Sequence, residues 1–235
     1  MSLAETILIT RPEPGAGETA RRVSAMGFVP LLAPALTIET SCVALPPVRG
    51  VVAVLATSGN ALLPCLPAFR HTRLFTVGDA TAARGRDLGF TDVTSAAGDA
   101  DALAALVAGR LRPEDGTLLL ACGHGQGLGL ATGLRGAGFR VIRRTVYRSR
   151  PAGKLPSGVA DALRGGVVRA GLFFSAETAR AFVRLVRRTG LRETVRTVDA
   201  FAIGAAAGVA LEALPWRRIG VAAKPTQDSM LALLR

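Results

Sequence analysis

Ser58 and Ser175 each stand where a short apolar run gives way to an Ala-rich stretch, in A-T-S-G-N-A-L and F-F-S-A-E-T-A, and so fall between a strand and a helix. A hydroxyl placed there accepts from a first-turn N–H as an N-cap. Gly78 and Gly204, in V-G-D-A-T-A and I-G-A-A-A-G, hold the same place in later units. Glycine there lets the backbone turn tightly and leaves amides bare, and bare amides at a helix N-terminus suit carboxylates. Arg11, directly after the first strand, adds a full positive charge and is the leading charged candidate. The chemistry these residues offer is anion binding. His71 and His124 have no triad or ligand spacing to each other or to Cys42, Cys65 and Cys122, and the cysteines form no C-x-x-C pair. Free thiols, no metal and no cofactor are expected.

The elements that carry these positions alternate in type. Strand Ile7–Thr10 is followed by a helix over about Gly17–Met26, strand Phe28–Leu32 and strand Val51–Ala56, and the pattern continues to the end. Such alternation builds parallel sheets in an α/β fold. The second half repeats the first. Leu119 lies 111 residues after Leu8 and Gly138 lies 111 after Gly27, while Gly204, Trp216 and Ile219 follow Gly78, Phe90 and Val93 by 126. A chain of 235 residues suits two domains of roughly 110–120. Residue patterns alone permit two contiguous halves.

Composition narrows the partners. With 29 Lys and Arg against 17 Asp and Glu the net charge is +12, mostly from Arg spread along the chain with few aromatics beside it. That distribution argues against stacking-type nucleic-acid binding and favours a small polyanion. No apolar run approaches the ~20 residues a bilayer requires, and the N-terminus lacks a basic-then-apolar leader, so a cytoplasmic protein without membrane contact is expected.

Seven segments, taken together, resemble the uroporphyrinogen-III synthase family: I-L-I-T-R-P at 7–12, T-S-x-N-A at 57–61, V-G-x-x-T-A at 77–82, V-Y at 146–147, F-S at 174–175, I-G at 203–204 and K-P-T at 224–226. The resemblance covers almost the whole chain. It implies two similar flavodoxin-like parallel-sheet domains with an exchanged N-terminal unit, joined by a two-stranded antiparallel ladder. Carried onto this sequence, residues 1–35 and 151–235 form one domain, 41–144 the other, and 35–40 pairs with 145–150. The offset of 111 sets Leu36 against Tyr147, consistent with equivalent places in the two repeats. Two positions depart from the family pattern: Ala207 stands where a Thr is usual, and Gln126-Gly127 where Gly-Arg is frequent.

The resemblance implies cyclisation of hydroxymethylbilane. Its terminal hydroxyl leaves to give an azafulvene, the far ring attacks through its substituted carbon, and the resulting spiro intermediate reopens and recloses with that ring inverted. The protein's task is then to hold a flexible chain in one geometry. Tyr147, the only tyrosine, is the candidate acid for the leaving hydroxyl. Thr57, Ser58, Asn60, Gly78, Thr81, Gly123, Ser175, Gly204, Thr226 and Arg11 are the candidates for holding eight substrate carboxylates. The partners implied are this substrate and, transiently, the deaminase that precedes the enzyme; a monomer is expected.

Two other functions fit parts of the sequence. Gly15-Ala16-Gly17-Glu18-Thr19-Ala20 matches G-x-G-x-x-A, as a dinucleotide-binding oxidoreductase would, although Pro12, Glu13 and Pro14 separate it from the strand and Glu13 would repel a pyrophosphate. Paired α/β lobes also suit a non-catalytic two-lobed anion-binding protein, a class that is commonly exported.

Overall fold

Near-continuous runs of Val, Ile, Leu and Ala make the strands, because both faces of each sheet are covered and neither set of side chains needs water. The computed structural model describes residues 5–41, 43–62 and 66–235. The chain begins with β1 (Thr6–Ile9), α1 (Gly15–Ala25), β2 (Val29–Leu32) and β3 (Leu36–Thr40). Next come β4 (Val51–Ala56), β5 (Arg73–Thr76), α2 (Asp79–Asp87), β6 (Val93–Ser95) and α3 (Ala100–Arg110). These lead to β7 (Thr117–Gly123), α4 (Leu128–Gly136), β8 (Arg140–Pro151), α5 (Ser157–Arg164), β9 (Val168–Phe173) and α6 (Ala176–Arg188). The last elements are β10 (Asp199–Ala202), α7 (Ala205–Leu211), β11 (Arg218–Val221) and α8 (Gln227–Leu231).

Three elements have bounds that differ from the sequence expectation. Helix α1 begins at Gly15 rather than Gly17, because Pro14 already has near-helical dihedrals (φ −86°, ψ −6°) and proline is well placed at a helix start. Strand β2 begins at Val29, one residue late, because Gly27 takes φ +87° and spends Phe28 on the turn. Strand β1 spans Thr6–Ile9, so Thr10 lies just past its end, where its hydroxyl donates to the Leu172 carbonyl at 2.6 Å.

The strands form two sheets, in the orders β2-β1-β9-β10-β11 and β3-β8-β7-β4-β5-β6. Every pairing in the first sheet is parallel, as are those linking β8, β7, β4, β5 and β6 in the second. With β3 set aside, the two orders match position by position. The matched strands are those the internal repeat aligns: β1 with β7 through Leu8 and Leu119, β9 with β4 through the serines that follow them, β10 with β5 through Gly204 and Gly78, and β11 with β6 through Ile219 and Val93. Contiguous halves are not what forms. Strand β1 pairs with β9, Leu8 lying beside Gly171, and the chain divides into compact units Met1–Thr37 with Arg150–Arg235, and Ile38–Ser149. Strand β3 runs beside the second half of β8: Ser41 N–H donates to Val146 O and Ala152 N–H to Ala35 O, both at 2.9 Å. Residue numbers fall on one strand as they rise on the other, so this edge pairing is antiparallel.

Alternate strand residues serve opposite faces. In the first unit Leu8, Phe173 and Ala200 face the layer of α5, α6 and α7, while Ile7, Ile9, Leu172 and Phe201 face α1 and α8. Phe173, Phe182 and Trp216 pack together, with two edge-on contacts of 5.4 and 5.6 Å between ring centroids. In the second unit Ala53, Leu55, Leu118 and Leu120 face α3 and α4. Val54, Ala56, Leu119 and Ala121 face Ala61, Leu62 and Phe69 on the other side. Cys122 is a buried free thiol, whereas Cys42 and Cys65 lie outside the described residues.

Candidate functional site

In each unit the loops after the parallel strands emerge at one end of the sheet, the end where open α/β sheets bind ligands. In the first unit those loops carry Arg11 after β1, Ser175 after β9, Gly204 after β10 and Thr226 after β11. In the second they carry Thr57, Ser58 and Asn60 after β4, Gly78 and Thr81 after β5, and Gly123 at the end of β7.

Arg11 is not a surface residue reaching into water. Its guanidinium lies 4.4 Å from the centre of the Phe174 ring. On the other side is Gly15, where an added Cβ would stand 2.3 Å from Arg11 Cζ, so glycine is what leaves room for the charged group. Nη1 donates to Gln227 Oε1 at 3.3 Å and to Thr19 Oγ1 at 3.5 Å. Among the described residues no carboxylate forms an ion pair with it. Burial pulls the Arg11 pKa below its ordinary value against the opposing pull of Glu18 and Glu13, yet an arginine in this range stays protonated.

Ser175 closes on its own helix. Its Oγ accepts from Thr178 N–H at 3.0 Å and donates to Thr178 Oγ1 at 2.9 Å, in extended backbone ahead of α6. Replacing Ser175 with Ala is therefore expected to lower stability by about 1 kcal/mol in urea unfolding, the ordinary worth of an N-cap. Any further loss confined to substrate affinity would reveal a second role. Thr226 Oγ1 caps α8 by accepting from Ser229 N–H at 3.3 Å, and Ser58 Oγ accepts from Asn60 N–H at 3.2 Å over the short turn Gly59–Ala61. Thr81 sits inside the first turn of α2 and caps nothing.

The tight-turn reason for Gly78 and Gly204 does not hold. Their φ angles of −138° and −173° are extended, and a Cβ at either would meet nothing within 4 Å. What glycine provides there is open space in front of the helix amides. Gly123 does need to be glycine: a Cβ would stand 2.8 Å from Tyr147 Cζ and 2.9 Å from Gln126 Oε1. Gly127, one of the departures from the family pattern, has φ +73° ahead of α4, which explains a glycine there. Ala207, the other, is buried in α7 against the core.

Tyr147 lies within β8, beside Gly123, and is only 3% exposed. Its ring belongs to the core over Val54 and Leu119, and its hydroxyl donates to Gln126 Oε1 at 3.0 Å. Sequence reasoning singled out Gln126 only as a departure, Phe174 only within F-S and Gly15 only within the dinucleotide-like match, and passed over Gln227. It also passed over Arg84, whose Nε is buried without a hydrogen-bond partner and whose Cδ lies against Gly59. Gln227 directly follows K-P-T and Phe174 directly precedes Ser175, so adjacency to a motif was the available signal.

The dinucleotide fingerprint is occupied from within. Glu13 Oε2 accepts from Gly17 N–H at 3.1 Å, and Arg11 covers Gly15. Among the described residues no group of three His, Cys, Asp or Glu is placed to hold a metal ion, and no helix is long and apolar enough to cross a membrane.

A family model described as Uroporphyrinogen-III synthase HemD matches residues 17–232. The chain belongs to the uroporphyrinogen-III synthase family. Membership makes it a cyclising lyase of tetrapyrrole biosynthesis. Its fold is similar to the crystal structure of a uroporphyrinogen-III synthetase from Helicobacter pylori 26695, with a TM-score of 0.63 and 18% identity over 99% of this chain and 98% of that one. A mutant uroporphyrinogen III synthase from the extremely thermophilic bacterium Thermus thermophilus aligns at TM-score 0.49 and 22% identity, over 98% and 97% of the two chains. A search of curated proteins finds no match. For a synthase of this family, hydrogen-bond donors at strand ends are suited to holding a reactive substrate in shape.

Proposed function

We propose that the chain closes hydroxymethylbilane to the type III ring, holding substrate carboxylates at strand-end loops. The observation that carries this reading is Arg11, a largely desolvated guanidinium with no carboxylate of its own at the carboxyl end of β1. Glu13 and Glu18 act on this guanidinium only from a distance, and an anionic ligand in contact with it would offset the cost of its desolvation. Amides ahead of the helices, left open at Gly78 and Gly204, and the hydroxyls of Thr57, Thr81 and Thr226 supply further donors; Ser58, Asn60, Gly123 and Ser175 shape the loops around them.

In this reading Tyr147 gives its proton to the leaving hydroxyl as the pyrrole nitrogen pushes electrons to form the azafulvene and water departs. The far ring attacks through its substituted carbon, the spiro bond breaks, and the second closure inverts that ring. The proton lost when the last ring regains its pyrrole form restores the phenol, so the net change is loss of one water. The hydroxyl donates to Gln126 Oε1 in the structure, so this step requires its O–H to turn from Gln126 to the substrate.

The matched sheet orders support a flavodoxin-like reading of both units. We likewise read β3 with the second half of β8 as the ladder that carries both crossings of the chain, with domains over 1–35 plus 151–235 and over 41–144. A cytoplasmic monomer meeting its deaminase transiently completes the proposal. The test supplies hydroxymethylbilane made in situ by that deaminase and resolves the isomers by chromatography. Mainly type III ring, with neither metal nor nucleotide added, is expected. Type I ring alone, at the uncatalysed rate, would overturn the reading.

A further inference from the structure

The corner around Arg11 has hydrogen-bonding capacity of one sign left over. The guanidinium carries five N–H donors, and only Nη1 makes hydrogen bonds, at 3.3 and 3.5 Å, long against the ~2.7–2.9 Å of a charge-assisted bond. Gln227 spends its amide oxygen on Arg11, and its Nε2 is buried with no acceptor. The reverse amide orientation would set donor against donor, so the arrangement follows from Arg11 itself. The Phe174 face and the bare Cα of Gly15 keep the guanidinium from swinging away. What this corner lacks is a group with two acceptor oxygens.

We propose that Arg11 and Gln227 form the receptor for one substrate carboxylate, with Gln227 as a specificity residue and Phe174 and Gly15 as positioning residues. The inference rests on the polycarboxylate substrate proposed above. One oxygen of the carboxylate takes the free edge of Arg11 and the other takes the Gln227 amide, displacing the long contact between them.

Gln227→Glu tests this, because it gives Arg11 an internal carboxylate of nearly the same shape. The expected result is an unchanged or higher melting temperature together with a rise in KM of about 10- to 100-fold, the loss falling in KM rather than kcat. Gly15→Ala supplies an independent variant. Its methyl group drives the mobile end of Arg11 out of the slot while leaving the residue in place, and the same KM rise is expected. Wild-type KM in both variants would overturn the receptor and leave the cyclisation reading standing. If the unmodified protein makes no type III ring, the cyclisation reading fails, and equilibrium binding of the octacarboxylate uroporphyrin then decides alone. Weaker binding to Gln227→Glu upholds the receptor; equal binding overturns it.

Discussion

Replacing Tyr147 with Phe is expected to slow ring closure by about 10²- to 10⁴-fold and to leave activity that a chromatographic assay still detects. The hydroxyl donates to Gln126 Oε1, while the ring is packed in the core and stays there as Phe. Loss of that hydrogen bond costs about 1 kcal/mol of stability, so the fold survives and the rate reports the proton. Complete loss of turnover with unchanged circular dichroism would make Tyr147 an indispensable acid. An unchanged rate would confine it to packing. Survival of some activity follows from the division of labour, because the remaining work is done by many contacts, several of them backbone amides that substitution cannot remove.

A loss of about 3 kcal/mol in urea unfolding is expected from Arg217→Ala. Asp199 opens β10 and is 1% exposed, yet it is charged. Arg217 meets it with two hydrogen bonds of 2.7 Å and Arg218 with one of 3.0 Å, while Arg217 itself is 53% exposed. Removing the wet partner is more damaging than removing the buried one, because Asp199 then keeps its charge in the core with only Arg218 to meet it, whereas without Asp199 the exposed guanidiniums return to water. Asp199→Ala is therefore expected to cost less than Arg217→Ala, and equal costs would contradict this account. The Arg217 hydrogen bonds, with help from Arg218, hold the Asp199 carboxyl below the usual carboxylate range. A carboxyl depressed on folding stabilises the protein above its unfolded pKa of about 3.9, and that share is lost as pH falls through the lower folded value. In Asp199→Asn the acid side of the stability profile should be correspondingly flatter.

Local chemistry is legible in the sequence itself. Ser175 caps the helix after it, as its position requires, and Ser58 caps only the short turn Gly59–Ala61 where a helix is expected, since a cap reaches only two or three residues. The repeat correctly matches strands that hold equivalent sheet positions. It cannot say which strands touch: buried strands are apolar on both faces, so Leu8 has no side-chain pattern that prefers Gly171 to Val54. The setting of Arg11 is hidden for the same reason, because Gln227 lies 216 residues further along. Tyr147 stands out for its chemistry, and nothing in the sequence shows that it is buried with its hydroxyl on Gln126, 21 residues back. The helix start at Gly15 escapes sequence reading because Pro-Glu-Pro resembles a loop, whereas Pro14 already sets the helical turn.

The position of β1 has a consequence for synthesis. It lies inside the first sheet with β2 on one side and β9 on the other, so its second ladder closes only when Gly171 has been made, 163 residues after Leu8. At ~5–20 residues per second a ribosome needs roughly 8–33 s for that length. Throughout that time Ile7, Leu8 and Ile9 have an open edge and no complete sheet to bury them, whereas β4 to β8 are translated together and can pair as they emerge. β1 is thus made long before the strand that encloses it, and until then its open apolar edge is a template for unwanted pairing.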